Sequence, residues 1–203
     1  MTEFLAEQLT AQGVPIRCLY EDDAAHLDMF APIRQSFRNE HPDIVNALLA
    51  VSQTLVREFD RRPRVHLIDA LLPGYHFLFG LYPASRVVTL NTDLHCILCP
   101  LQPMIVYLKS DIDSAFARAV DERGREWLDQ FMEPINRHYQ TARYVRTSLP
   151  LSSIRDVSAF FEEMDQFMLR MVSGWRGKHL VIDTPGRTVD EIKTILMHSL
   201  SVV

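Results

Sequence analysis

Two short stretches of this chain are apolar at nearly every position, and they restrict its fold more than any other feature. Arg64 to Leu72 reads Arg-Val-His-Leu-Ile-Asp-Ala-Leu-Leu, and Met104 to Leu108 reads Met-Ile-Val-Tyr-Leu. A strand with one face in water alternates polar and apolar residues. A strand covered on both faces does not alternate, and such strands belong to parallel sheets sandwiched between helices. Pro73 and Gly74 end the first run.

Helical spacing fills the intervals. Thr2 to Gln12 places Phe4, Leu5 and Leu9 on one face, with Gly13 as its stop. Val14 to Tyr20 follows as a short strand in which Ile16, Cys18 and Tyr20 alternate with Arg17 and Leu19. A polar loop then leads to a helix from about Pro42 to Asp60, with Ile44, Leu48, Val51 and Leu55 in register. Tyr75 to Pro100 reads as helix in two pieces broken near Pro83. Asp111 to Arg123 reads as helix with Asp111 as N-cap. Arg125 to Trp175 reads as mostly helical, His179 to Ile182 as a last strand, and Thr188 to Leu200 as a closing helix. Thr188 and Glu191 open that helix as a capping box. Strands separated by helices imply a single α/β domain with a parallel sheet and helices on both faces.

A length of 203 residues suits one domain, and 47% hydrophobic with 23% charged residues is ordinary for a globular protein. The net charge of -5 argues against a nucleic-acid binder, whose footprint is basic. No apolar run reaches the roughly 20 residues that span a bilayer, and the first residues carry Glu3 and Glu7 without the basic flank of a secretory signal. Cys18, Cys96 and Cys99 make no disulfide framework, so a reducing cytoplasm is the expected location and no membrane partner is expected.

Several segments, in order, are similar to successive parts of P-loop small-molecule kinases of the thymidylate and deoxynucleoside kinase type. Thr2-Glu-Phe-Leu-Ala-Glu-Gln-Leu9 with Gln12-Gly-Val-Pro-Ile16 resembles the first helix and second strand of those enzymes. Tyr20-Glu21-Asp22-Asp23 resembles the acidic segment after that strand. Met104 to Asp111, with Ala117-Arg118 and Glu122 to Trp127, resembles the fourth strand and the start of a basic lid. His179 to Thr184 with Thr188 to Ile192 resembles the final strand and helix. The resemblance implies a P-loop-kinase-like parallel sheet flanked by helices, with a helical lid over about 118–150. It also implies transfer of a phosphoryl group from ATP, with Mg2+, to a nucleoside, nucleotide or related hydroxyl compound, and it leaves room for a homodimer.

One part of the family pattern is missing. In that group a first, central strand and a G-x-x-x-x-G-K-S/T loop precede the first helix, and the loop's backbone N–H groups and lysine hold the phosphates. The glycines at 74, 80, 124, 174, 177 and 186 do not supply that spacing, and neither Lys109 nor Lys178 stands in such a loop. Two explanations are open. The preferred one makes Met1 an internal methionine of a longer protein, with the strand and loop about 15 to 25 residues upstream. In the other, the chain is a kinase relative that has lost nucleotide binding and serves as a non-catalytic binding or assembly protein. With either, the absent strand would leave edges of the sheet to be covered.

The candidate residues follow. Glu21 lies after a strand's C-terminus, where open α/β sheets bind ligands. By the resemblance it is the base for the acceptor hydroxyl, a role that asks mainly for an oriented carboxylate. Asp69 stands inside an apolar strand, where a buried carboxylate needs a partner. The resemblance makes it a magnesium or substrate ligand, although Ala70 replaces the arginine that often follows. Arg118, Arg123 and Arg125 match a lid whose arginines clamp the transferring phosphoryl group, with Arg118 and Arg123 also on the nucleotide. Arg137, Arg143 and Arg146 extend that basic surface. The plain alternatives are a solvated acidic loop, a hydrogen-bonded structural aspartate and solvated helix ends.

Other motifs carry less. Cys96-x-x-Cys99 lacks the further ligands of a structural zinc and reads as a pair of core cysteines. His26, His41, His138 and His198 read as surface or capping residues. There is no G-x-S-x-G for a serine hydrolase. Phe160, Phe161, Met164, Phe167, Met168 and Met171 form a helical stripe that reads as core.

Overall fold

The computed structural model describes residues 1–20, 22–23, 26–36, 43–59, 65–69 and 74–201. In chain order the elements are α1 (Thr2–Ala11), β1 (Ile16–Leu19), a 3₁₀ turn (Asp28–Phe30) running into α2 (Ala31–Ser36), and α3 (Ile44–Phe59). Then come β2 (Val65–Ile68), a 3₁₀ turn (Tyr75–Phe77), α4 (Ala84–Leu98), a 3₁₀ turn (Cys99–Leu101), β3 (Met104–Lys109) and α5 (Ile112–Arg123). The chain continues through α6 (Arg125–Tyr139), α7 (Ile154–Ser173), β4 (Lys178–Asp183) and α8 (Val189–Ser201).

Local chemistry sets many of these boundaries. Gly13 has φ 76°, and its N–H bonds the Thr10 carbonyl at 2.9 Å, which ends α1. Pro83 caps α4, and the Asp111 carboxylate accepts the Ser114 N–H at 3.1 Å to cap α5. The expected capping box opens α8: Glu191 N–H bonds Thr188 Oγ1 at 3.2 Å, and Thr188 N–H bonds Glu191 Oε2 at 2.7 Å.

Two segments differ from their expected form. The supposed polar loop before α3 contains the Asp28–Phe30 turn and α2, because Met29, Phe30 and Ile33 bury themselves in the core. Within 125–175, the residues between α6 and α7 are not helical. Asn136 of α6 holds that strap, accepting the Leu151 N–H at 2.6 Å and donating to the Leu151 carbonyl at 2.9 Å.

The strands form two parallel pairs. β1 runs beside β2 with Ile16 opposite Val65 and Leu19 opposite Ile68. β3 runs beside β4 with Met104 opposite Lys178 and Lys109 opposite Asp183. Among the described residues β2 and β3 are not paired with each other.

Both pairs share the same helical surroundings. Leu19, Ile68, Ile105 and Tyr107 pack on one large core built from α3, α4 and α7, which includes Leu48, Val51, Leu90, Leu94 and the Phe160–Met171 stripe. The other side is covered by α1, which packs on β1 and β2, and by α8. Leu5 of α1 joins Leu180, Ile182, Ile192 and Leu196 in a second cluster. A buried polar link ties the large core: Asn91 accepts from the Tyr75 hydroxyl and donates to the Met171 carbonyl at 3.0 Å.

β3 departs from the two-sided burial that its apolar run predicts. Val106 and Leu108, on the face shared with Leu180 and Ile182, are 37% and 38% exposed. α8 covers the β4 side of that face, while the other edge of β3 has no neighbouring strand among the described residues.

Candidate functional site at the C-terminal ends of the strands

Parallel pairing brings the C-terminal ends of β3 and β4 together at one rim, and polar residues follow both strands there. β3 ends in Lys109-Ser110-Asp111 and β4 in Asp183-Thr184. Lys109 Nζ lies 3.0 Å from Asp183 Oδ1, and this carboxylate holds the ammonium above its ordinary value. Thr184 donates both its N–H and its hydroxyl to the Lys109 carbonyl, each at 2.8 Å, which locks the two strand ends together. The Ser114 hydroxyl and N–H hold the Asp111 carboxyl below its usual range.

α7 faces this rim across a cleft of about 680 Å³. Its Asp165 is buried and accepts the Tyr107 hydroxyl at 2.7 Å. Burial, and then the bond to Asp165, keep the Tyr107 phenol protonated well above its ordinary range. Glu163 gathers the strap at residues 146–147. It accepts the Arg146 N–H at 2.9 Å and the Thr147 N–H at 3.1 Å, and it lies 3.4 Å from Arg146 Nε. Two cations, Lys109 and Arg146, line the cleft with four carboxylates, those of Asp111, Glu162, Glu163 and Asp165. Each cation already has its carboxylate, so these residues make a polar, acid-rich hollow and not by themselves a cradle for phosphates.

Among the described residues, those given catalytic or ligand roles from sequence do not line this cleft. Asp69 directly follows β2, and its N–H bonds the Leu19 carbonyl at 2.9 Å. Its side chain is exposed, which corrects the expectation of a carboxylate inside an apolar strand. Water solvates it there, and no partner is required. Glu21 lies outside the described residues. Nearby, Asp23 Oδ2 accepts the Tyr20 N–H at 2.8 Å.

The three arginines stand apart from the cleft. Arg118 is exposed on α5, Arg123 lies over the Trp127 ring at 5.3 Å, and Arg125 reaches Asp129 across one turn at 3.8 Å. Arg123 is about 16 Å along the helix from Ile112, which lines the cleft. Sequence reasoning gave no role to Lys109, Glu163 or Asp165 and set Arg146 only at the margin. The available signal was the abrupt Lys-Ser-Asp after the apolar Met104–Leu108 run, together with carboxylates interrupting the Phe and Met stripe of α7.

Among the described residues no three His, Cys, Asp or Glu side chains converge as a metal site, and no helix is long and apolar enough to cross a membrane. Comparison with protein-family models, curated proteins and solved structures finds no match.

Proposed function

We propose that this chain is the part of a P-loop small-molecule kinase that follows the phosphate-binding loop. Its full-length form would transfer the γ-phosphoryl group of magnesium-ATP to a nucleoside, nucleotide or related hydroxyl compound. The observation that carries this reading is the division of the parallel strands into β1–β2 and β3–β4.

Crossover handedness gives the division its meaning. The links from β1 to β2, β2 to β3 and β3 to β4 all pass over the core formed by α3, α4 and α7. Right-handed crossovers on one face carry the chain steadily in one direction. The edge of β2 away from β1 then looks toward the edge of β3 away from β4, neither with a partner strand among the described residues, and a slot between them would fit a strand parallel to both. α1 lies on the opposite face, so a right-handed crossover through it runs the other way. A strand leading into α1 therefore belongs in the slot, with α1 returning the chain past β2 to β1. The resemblance implies a loop-bearing strand in that position. Val65, Val106 and Leu108, each more than one-third exposed, are apolar groups that such a strand would help to cover.

On this reading Glu21 is the base, Asp69 the magnesium or substrate ligand, and Arg118, Arg123 and Arg125 the phosphoryl clamp once a lid over about 118–150 closes. A magnesium-triphosphate site needs only one or two protein carboxylates, because phosphate oxygens and water complete the shell. A single exposed Asp69 at the strand rim fits that requirement. The phosphates themselves need the backbone donors of the loop, since Lys109 and Arg146 are already paired.

The test is calorimetry with magnesium-ATP on residues 1–203 and on the chain extended upstream as its gene encodes it. The extended chain is expected to bind and the 203-residue chain to bind poorly or not at all. Binding by neither would overturn the kinase reading in favour of a non-catalytic kinase-fold binding or assembly protein. ATP-dependent transfer by residues 1–203 alone would overturn the need for the loop.

A further inference from the structure

Cys96 and Cys99 are free thiols, and both are exposed, which corrects their assignment to the core. Leu98 between them turns inward instead and is buried in the large core. The backbone stays helical through this turn, with Leu98 at φ -86°, ψ -14° and Cys99 at φ -54°, ψ -31°. Three residues along such a backbone leave the two Cα atoms about 5 Å apart. That lies within the roughly 4.4–6.8 Å that disulfides span between Cα atoms, and a small adjustment at this helix end brings the two Cβ atoms into range. Helical side chains lean toward the preceding turn, and Cys99 Sγ lies 3.4 Å from the Cys96 carbonyl oxygen, over the residue that it would have to meet.

We propose that Cys96 and Cys99 form a reversible dithiol–disulfide pair, a redox modification site that takes low-molecular-weight disulfides as its oxidant. In the first step one cysteine thiolate attacks a sulfur of a disulfide such as oxidised glutathione. The small molecule's S–S bond breaks, a mixed disulfide forms, and one glutathione leaves as a thiolate that takes up a proton. The second cysteine thiolate then attacks the protein sulfur of the mixed disulfide. The Cys96–Cys99 bond forms and the second glutathione leaves. The protein loses two protons and two electrons, and the small disulfide gains them to become two thiols. Excess reduced glutathione runs the same steps backward.

The pair sits at the last turn of α4, which leads to the start of β3, whereas the cleft lies at the end of β3. The inference is therefore independent of the kinase reading. Its nearest competitor is Cys18, half-buried on β1 beneath α1.

The experiment incubates the folded 203-residue protein with oxidised glutathione, alkylates the remaining thiols and measures intact and peptide masses. The expected product is a monomer that has lost two of its three alkylatable thiols, with the peptides of Cys96 and Cys99 linked and Cys18 still alkylated. In Cys96→Ser the ring cannot close, and a glutathione adduct persists on Cys99. Stable adducts on both cysteines of the unsubstituted protein, disulfide-linked dimers, consumption of Cys18 in their place, or no reaction would each overturn the proposal.

Discussion

His76 shows how one residue's chemistry can depend on the whole fold. Burial, and then the nearby charge of His138, lower its pKa to about 4. The unfolded chain returns it to about 6.5. A histidine held neutral in the folded state binds protons more tightly when unfolded, so acid destabilises the protein. Stability is expected to be flat above about pH 7 and to fall as pH drops from 6.5 toward 4, with about 2 kcal/mol lost by pH 5. Urea midpoints at pH 8 and pH 5 measure this, and His76→Gln should remove most of the difference. The lowered carboxyls of Asp111, Asp156 and Glu191 lose their hydrogen-bonded anionic form only at lower pH, outside that comparison. An equal pH response in the variant would show that other groups set it. None of this was legible in the sequence. His138 read as a surface or capping residue, yet its Nε2 is buried, and its ring meets Tyr139 edge-on at 4.6 Å. Residue type does not state burial when a side chain is at home both in water and in a core.

At the scale of elements, the legible features were those whose physics is local. Gly13, Pro83, Asp111 and the Thr188–Glu191 box mark helix ends that the structure keeps within a residue or two. The Phe and Met stripe of α7 lies against the core, as its spacing implied. The strap between α6 and α7 was not legible, because a carboxylate on another element holds it. Glu163→Ala removes the acceptor for the Arg146 and Thr147 N–H groups. Losing these charge-assisted bonds is expected to speed amide exchange at both positions about tenfold, in line with ~1.4 kcal/mol. Hydrogen exchange read at those two amides checks this, and unchanged protection would show that the strap holds without Glu163. α2 escaped notice for a related reason: six residues are too few to display a period, and tertiary burial of Ile33 makes the helix worth forming.

At the scale of the whole molecule, the described strands form two separate parallel pairs. Among the described residues the outer edges of β2 and β3 carry no partner strand, and Val106 and Leu108 on β3 are exposed, which invites pairing with another chain. Residues 1–203 are expected to self-associate with rising concentration in sedimentation velocity. Val106→Lys should weaken that association about tenfold or more, as a charge must then be buried at the contact. A monomer at every concentration would show that these edges are already protected. The sequence by itself determined the α/β alternation, the parallel direction of the strands and most helix ends. Those follow from apolar runs, helical periods and caps that act over a few residues. Only the tertiary structure decided which strands pair, that the described strands form two pairs, and that Lys109, Arg146, Glu163 and Asp165 share one cleft while Arg118, Arg123 and Arg125 stand away from it. Pairing and convergence join residues far apart in the chain, and no local propensity encodes that distance.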